Sequence, residues 1–292
     1  MNKTITVRIV GGLGNQLFCY SFGRALALKH STKLSFDTQS GYFFDKYNRQ
    51  FLLNYFPNCK INEKRNTNIF LSKPKHKILK FINYILPEKL KFYFIEERPI
   101  RYQKELFQKK ILFSKYFIGN WANCMYFNEI SNELRKELIP PSPKSIEVIK
   151  LLKKIKDVNS CFIHWRSYEE EICVAHPTMD DYYIQAIKYI INRHQDIYFF
   201  VFSDIPSLAI KKFAHFGNLS FVNLQESKGN LQSLNDFYLM YNCNHAIIGD
   251  STFSWWAAWL SNQKNKTVIA PRGLSPWGDQ SIPENWVSIN AL

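Results

Sequence analysis

"RIVGGLGNQLFCYSFGRALALK", Arg8 to Lys29, joins a strand end, a glycine turn and a helix start. Just ahead of and into it, Ile5, Val7 and Ile9 alternate and share one face of a strand. Gly11, Gly12 and Gly14 form the turn. Leu17, Phe18, Phe22, Ala25 and Leu26 then recur at helical spacing. "TKLSFD" follows as a second strand, ending at Asp37. Strand, helix and strand in that order predict the opening of an α/β sheet.

The far end of the chain repeats the alternation. "PPSPKS", Pro140 to Ser145, is a proline-rich break and the expected domain boundary. Beyond it one helix pattern precedes "SCFIHWRS", a strand running into a polar loop. "DDYYIQAIKYIINRH" is an amphipathic helix and "DIYFFVFSD" a buried strand ending in Ser203-Asp204. "LQSLNDFYLMYNCN" and "STFSWWAAWLSN" read as helices around the strand "HAIIGD", with "KTVIAP" as the last strand. Such alternation predicts a parallel sheet with ligands at the carboxyl ends of its strands. That rule makes Ser203 and Asp204 candidate binding residues. From about Phe51 to Lys115 no clean period appears, and short helices and loops are expected there.

Composition narrows the class. With 292 residues, 46% of them hydrophobic, the chain can bury a sizeable core. No apolar run reaches the roughly 20 residues of a membrane span, and no secretion signal precedes the first strand, so a cytoplasmic protein is expected. The six cysteines are scattered, none in C-x-x-C, and read as free thiols without a zinc site. A net charge of +14 favours anionic partners. The excess is dense in "SKPKHKILKFINYILPEKLKF" and "QKKILFSK", where lysines alternate with Ile, Leu, Phe and Tyr. A solvated lysine-rich surface explains this, and so does a patch lying against anionic lipid at the inner membrane. No nucleic-acid-binding motif accompanies the charge.

Three constellations carry chemistry. The first turn nearly matches G-x-G-x-x-G through Gly12 and Gly14, with Asp37 where a ribose-binding acid would stand. An NAD-dependent oxidoreductase is therefore the competing reading. Against it, Leu17 replaces the third glycine, and Asn15-Gln16 at the tip suggest directed hydrogen bonding. The second constellation is His164 and Arg166 at a strand end; arginine grips phosphate bidentately. A surface salt bridge to Glu169 or Glu170 explains the same residues without a ligand. In the third, Asp250, Ser251 and Thr252 precede a helix whose N-terminus favours anions. An ordinary cap accounts for each hydroxyl singly, and "FSWWAAW" is most simply core. No Asp-x-Asp occurs, so a diphosphate would be neutralised by arginine, hydroxyls and the helix dipole rather than by a metal.

"GGLGNQLFCYSFGRALA" together with "DFYLMYNCNHAIIGDSTFSWWAAWL" closely resembles the bacterial α-1,2-fucosyltransferases and, more distantly, the protein O-fucosyltransferases. "APRGLSPWGDQSIPENWVSI" is similar to the ending of that family. The family's His-x-Arg-Arg is matched only in part, since Ser167 stands at the second arginine. The resemblance implies a GT-B-type α/β architecture of two Rossmann-like lobes facing a cleft, with residues 1–145 on the acceptor side and 146–292 holding the donor. It implies inverting, metal-independent transfer of fucose from GDP-fucose to O2 of a terminal galactose in a bacterial surface glycan such as an O-antigen, with the acceptor expected to be lipid-linked. By the same resemblance Arg166 is the essential diphosphate arginine, Asn15 the asparagine beside the active cleft, and Glu169 a catalytic acid. The proton acceptor is sought among Glu169, Glu170, Glu171 and His176. Gly14 and Gln16 fall in the first motif as substrate-binding positions. His164 matches a guanosine-side histidine, Asp236 an acid that reads guanine, and Asp250, Ser251, Thr252, Phe253 and Ser254 the phosphate-binding stretch. No cofactor is implied beyond the donor itself.

Overall fold

The computed structural model describes residues 3–43, 45–64, 78, 81–87, 90–91, 93–95, 102–166, 179–273 and 281–291. It divides into two compact units, Met1–Ile139 and Pro140–Leu292. The first is built on a parallel sheet of β1 (Thr4–Arg8), β2 (Lys33–Asp37), β3 (Tyr93–Ile95) and β4 (Lys115–Ile118), in the order β2-β1-β4-β3. The helix Leu13–Lys29 follows β1 through the glycine turn. Gly11 adopts the left-handed φ of +71°, and a Cβ there would come within 2.6 Å of the Asn15 amide. Close helix–sheet contact, which Leu17 prevents at its own position, is supplied by Gly23. A Cβ at Gly23 would meet Val7 at 3.0 Å and Phe36 at 3.2 Å. Phe22 stacks on Trp121 at 4.1 Å, and Glu137 accepts hydrogen bonds from Tyr20 and Arg24, tying the helix to its surroundings.

The expectation of only helices and loops between Phe51 and Lys115 is corrected. β3 lies in that stretch, and β4 starts at its end and pairs directly with β1. Lys115, Tyr116 and Phe117 of β4 are all buried, so the strand sits where polar and apolar positions need not alternate and the period-2 signal vanishes.

The second unit carries β5 (Asn159–Trp165), β6 (Ile197–Ser203), β7 (Leu219–Phe221), β8 (His245–Ile247), β9 (Val268–Arg272) and β10 (Val287–Asn290). All pair in parallel in the order β10-β9-β8-β5-β6-β7. The helices Asp180–Arg193, Pro206–Phe213, Gly229–Asn242 and Thr252–Leu260 connect successive strands. "KTVIAP" is therefore not the last strand: β10, at the sheet edge, extends the sheet beyond it. The chain winds from β5 out to β7, then crosses back to lay β8 beside β5. The strand order thus reverses between β5 and β8, the place where open α/β sheets leave a crevice. Ile163, Tyr182, Tyr183, Ile187, Phe199, Val201, Ile247 and Ile269 form the core beneath it. Among the described residues no helix is long and apolar enough to cross a membrane.

The opposite, amino-terminal edge of this sheet holds a histidine pair. The rings of His194 and His245 lie 3.8 Å apart. The Thr267 N–H donates to His245 Nδ1 at 3.0 Å, so the proton of the neutral ring sits on Nε2, 3.1 Å from the Asn159 side-chain Oδ1. Burial, reinforced by His194, lowers the His245 pKa from 6.5 to about 4. The unfolded chain therefore binds a proton that the folded chain refuses between these values. Stability present above pH 6.5 is expected to fall as pH drops towards 4, by about 3 kcal/mol. Thermal melting across this window should show the loss, and His245→Gln should flatten it; an unchanged slope in the variant would assign the acid sensitivity elsewhere.

Candidate active site

The crevice edge is built from residues that follow β5, β6 and β8. Ile163 of β5 pairs with Ile247 of β8, so His164 to Arg166 and Ile248 to Ser251 leave the sheet side by side. Gly249 permits the close approach. A Cβ there would come within 2.7 Å of the Tyr183 hydroxyl and 3.0 Å of the His164 carbonyl oxygen. The Tyr183 hydroxyl donates to that carbonyl at 2.9 Å, and Tyr182 donates to the carbonyl of Ile248 at 2.6 Å. Two adjacent tyrosines of one helix thus fix the exits of both strands.

His164 is buried, and among the described residues its Nδ1 has no hydrogen-bond partner. Burial, with the Arg166 charge adding to it, lowers its pKa to about 3, so the ring is neutral at any working pH. It lies 5.8 Å from the Phe253 ring, and Phe253 lies 5.3 Å from Phe237. Phe253 belongs to the first turn of Thr252–Leu260. Ser251 caps that helix, its Oγ accepting from the Phe253 N–H at 3.3 Å, and the Ser254 hydroxyl donates to the Ser251 carbonyl at 3.3 Å. Asp250, Thr252 and Phe253 are half-buried at the same helix start. Trp255 and Trp256 behind it are core.

Arg166 stands one residue past β5. Its partner is Asp204, at the end of β6, with 3.4 Å between Nε and the carboxylate. The parallel pairing of β5 with β6 supplies Asp204, remote in sequence; the Glu169 and Glu170 expected as ion-pair partners lie outside the described residues. Ser203 turns to the backbone, where its hydroxyl accepts from the Ile205 N–H at 3.0 Å. Asp236 sits beside Phe237 on the helix Gly229–Asn242, half-buried and without a partner among the described residues. Burial alone raises its pKa to about 7. Glu169, Glu170, Glu171 and His176 lie outside the described residues. Among the described residues no cluster of His, Cys, Asp or Glu is arranged to hold a metal ion.

In the first unit Gly14 and Asn15 open the helix after the glycine turn. Gln16 faces inward and is wholly buried. Its amide donates to the Gly11 carbonyl at 3.0 Å and the Gln50 carbonyl at 2.8 Å, and accepts from the Leu52 N–H at 2.8 Å. That uses both N–H groups, and Gln16 tethers the turn to the following loop. Gln16→Leu is expected to destabilise the protein by about 2–4 kcal/mol, because three backbone groups lose their partner. A melting curve and a donor KM decide the point: a stable variant with a raised KM would restore Gln16 to substrate binding.

Asp37 is likewise consumed. It is fully buried and accepts from the backbone of Gln39 and Ser40, from the Ser40 hydroxyl and from the Tyr116 hydroxyl. No acceptor is left pointing outward for a ribose, and the oxidoreductase reading loses its second support.

The chain is 31% identical to an alpha-1,2-colitosyltransferase of Escherichia coli, covering 98% of each. It is 27% identical to the O-antigen biosynthesis glycosyltransferase WbnK of Escherichia coli, covering 96% of this chain and 98% of that one. In structure it is similar to the α-1,6-fucosyltransferase NodZ of Bradyrhizobium, from a crystal soaked with GDP-fucose: the TM-score is 0.52 at 15% identity, over 89% of this chain and 93% of NodZ. That likeness concerns the fold, the α/β GT-B type. Residues 4–290 also match the model of glycosyl transferase family 11, and a match of that span, from β1 to the end of β10, makes the chain a member of that family.

Proposed function

We propose that the enzyme transfers fucose from GDP-fucose to O2 of a terminal β-galactose in a bacterial surface glycan such as an O-antigen, inverting the anomeric centre and using no metal. The observation that supports this most is the placement of Arg166, neutral His164 and the helix start at Ser251–Ser254 at the ends of the adjacent strands β5 and β8. A guanidinium and a helix N-terminus together suit a diphosphate. The names of the relatives support the O2 linkage and the glycan, and the GDP-fucose soak of NodZ supports the donor.

In this reading the acceptor O2 forms a bond to the anomeric carbon as the bond from that carbon to the β-phosphate oxygen breaks. The electron pair leaves with GDP. Arg166 and the helix start hold the charge that grows on the β-phosphate. The proton acceptor is sought among Glu169, Glu170, Glu171 and His176, with Glu169 as the catalytic acid that the family resemblance suggests. Asp236 accepts from the guanine N–H groups, with His164 and Phe253 on the guanosine side. Asn15 serves the reacting sugar, residues 1–145 the acceptor, and the enzyme works in the cytoplasm. The colitosyltransferase relative favours one second reading, in which the donor sugar lacks the 3-hydroxyl of fucose.

Both readings are tested by supplying GDP-fucose and GDP-colitose separately with a panel of β-galactosides and reading the product linkage by NMR. Fucose on galactose O2 is the expected product. Turnover of GDP-colitose alone would replace the donor. Fucose on O3 or O4 of N-acetylglucosamine would overturn the linkage.

A further inference from the structure

A short helical stretch in the first unit is inside out. Ile78, Phe81, Ile82, Tyr84 and Ile85 all face solvent, Phe81 at 67% and Tyr84 at 81% exposure, while the polar Asn83 is the buried residue among them. Ile78 and residues 81–85 are helical. Water-facing helices of folded domains show the reverse pattern, because exposed apolar area is unfavourable and a buried amide needs a partner. An outward apolar cluster of this kind marks a surface that something else covers.

The sequence around the cluster says what that is. Between residues 73 and 91 stand Lys73, Lys75, Lys77, Lys80, Lys89 and Lys91, against the single acid Glu88. A protein partner would be recognised through directed polar contacts. Lysines this dense in the sequence on either side of an apolar row instead suit a surface that is apolar inside and diffusely anionic at its boundary. The stretch is too short to span a bilayer but long enough to lie in its interface. Tyr84 adds an aromatic ring with a polar tip, the side-chain type that settles at headgroup depth.

We propose that Phe81, Tyr84 and Ile85, with Ile78 and Ile82, insert into the interface of an anionic bilayer, and that the neighbouring lysines supply the attraction to its headgroups. The enzyme is thereby held at the surface of a membrane without crossing it. This goes beyond the transfer reaction and does not depend on the identity of donor or acceptor.

The test is sedimentation of the full chain with vesicles of phosphatidylcholine alone and of phosphatidylcholine with phosphatidylglycerol. The wild type should partition onto the anionic vesicles only, and salt should release it. The double variant Phe81→Ser/Ile85→Ser should partition about tenfold more weakly, with an unchanged melting temperature, since exposed side chains contribute little to the fold. Its turnover of a water-soluble galactoside should equal that of the wild type. Equal binding of the wild type to both vesicle types, or equal binding of wild type and double variant, would overturn the proposal. So would light scattering that shows a wild-type dimer becoming a monomer in the variant while neither binds vesicles; a second copy of the chain would then be what covers the cluster. Vesicle binding that persists in a protein inert towards every nucleotide sugar would leave this inference standing and remove the proposed function instead.

Discussion

Arg166→Ala is expected to lower kcat by roughly 100-fold or more, the cost of losing one preorganised stabiliser of developing charge. Arg166→Lys should fare little better. Lysine keeps the charge but not the planar fork that can meet phosphate with two parallel N–H groups. The geometry sharpens the expectation. Asp204 approaches Nε at 3.4 Å and orients the guanidinium beside the β5 exit; a flexible ammonium cannot be oriented in that way. Ser167 stands where the family resemblance places a second arginine, so Arg166 carries more of the task. Because the contact strengthens as GDP departs, the loss should appear in kcat more than in the KM for donor. EDTA should leave the wild-type rate nearly unchanged. Near-normal kcat in Arg166→Ala would move the phosphate site elsewhere, and turnover abolished by EDTA and restored by Mg²⁺ would end the metal-independent reading.

Asp236→Asn is expected to raise stability and lower donor affinity at once. The Asp236 carboxyl has a folded pKa of about 7 through burial alone, against 3.8 for the ordinary group. For an acid, a raised folded value means that the fold disfavours the charge. There is no penalty below pH 3.8, where both states are protonated. The penalty grows as pH rises to about 7 and is constant above, reaching on the order of 2–4 kcal/mol. Asparagine removes it, so the variant should melt higher than the wild type above pH 7 and equally at pH 4. Donor binding should show the opposite. A carboxylate accepting from two guanine N–H groups contributes about 1.5–3 kcal/mol, so the KM for the guanine donor should rise roughly 10- to 100-fold. In the wild type that KM should also rise as pH falls below 7, since a protonated carboxyl is a poor double acceptor; in the variant this slope should vanish. Unchanged GDP affinity in Asp236→Asn would take the guanine away from this residue. A protein that keeps a half-buried carboxylate without a partner among the described residues, at a stability cost, fits a site whose partner arrives with the substrate.

The outcome for individual residues shows what is legible in a chain read alone. Ile5, Val7 and Ile9 alternate because β1 exposes its two faces to different surroundings, and the pattern survives in sequence. The buried strands β5 and β6 were legible from apolar runs bounded by polar loops. β4 was not, because Lys115 and Tyr116 are polar residues buried by partners that no local pattern reveals. The helix start at Ser251–Thr252 was legible, since capping is a local interaction.

Sequence by itself determined the alternation of strands and helices, the two glycine- and serine-led turns, the core positions and, through two long motifs, the family. These follow from periodicity and from contacts between residues a few positions apart. Tertiary structure decided which polar side chains are spent and which are available. Gln16 and Asp37 look like site residues in the sequence and are saturated by Gln50, Leu52, Ser40 and Tyr116. Arg166 pairs with Asp204, which no sequence spacing suggests and which a strand register brings there. Gly249 reads as part of the strand "HAIIGD" and proves to lie past its end, at the point where two strand exits nearly touch. Asp236 carries no local sign that its carboxyl is half-buried without a partner among the described residues. The reason is the same in each case: a hydrogen bond or ion pair is satisfied within about 3–4 Å in space, and strand pairing sets that distance between residues that sequence spacing leaves unrelated.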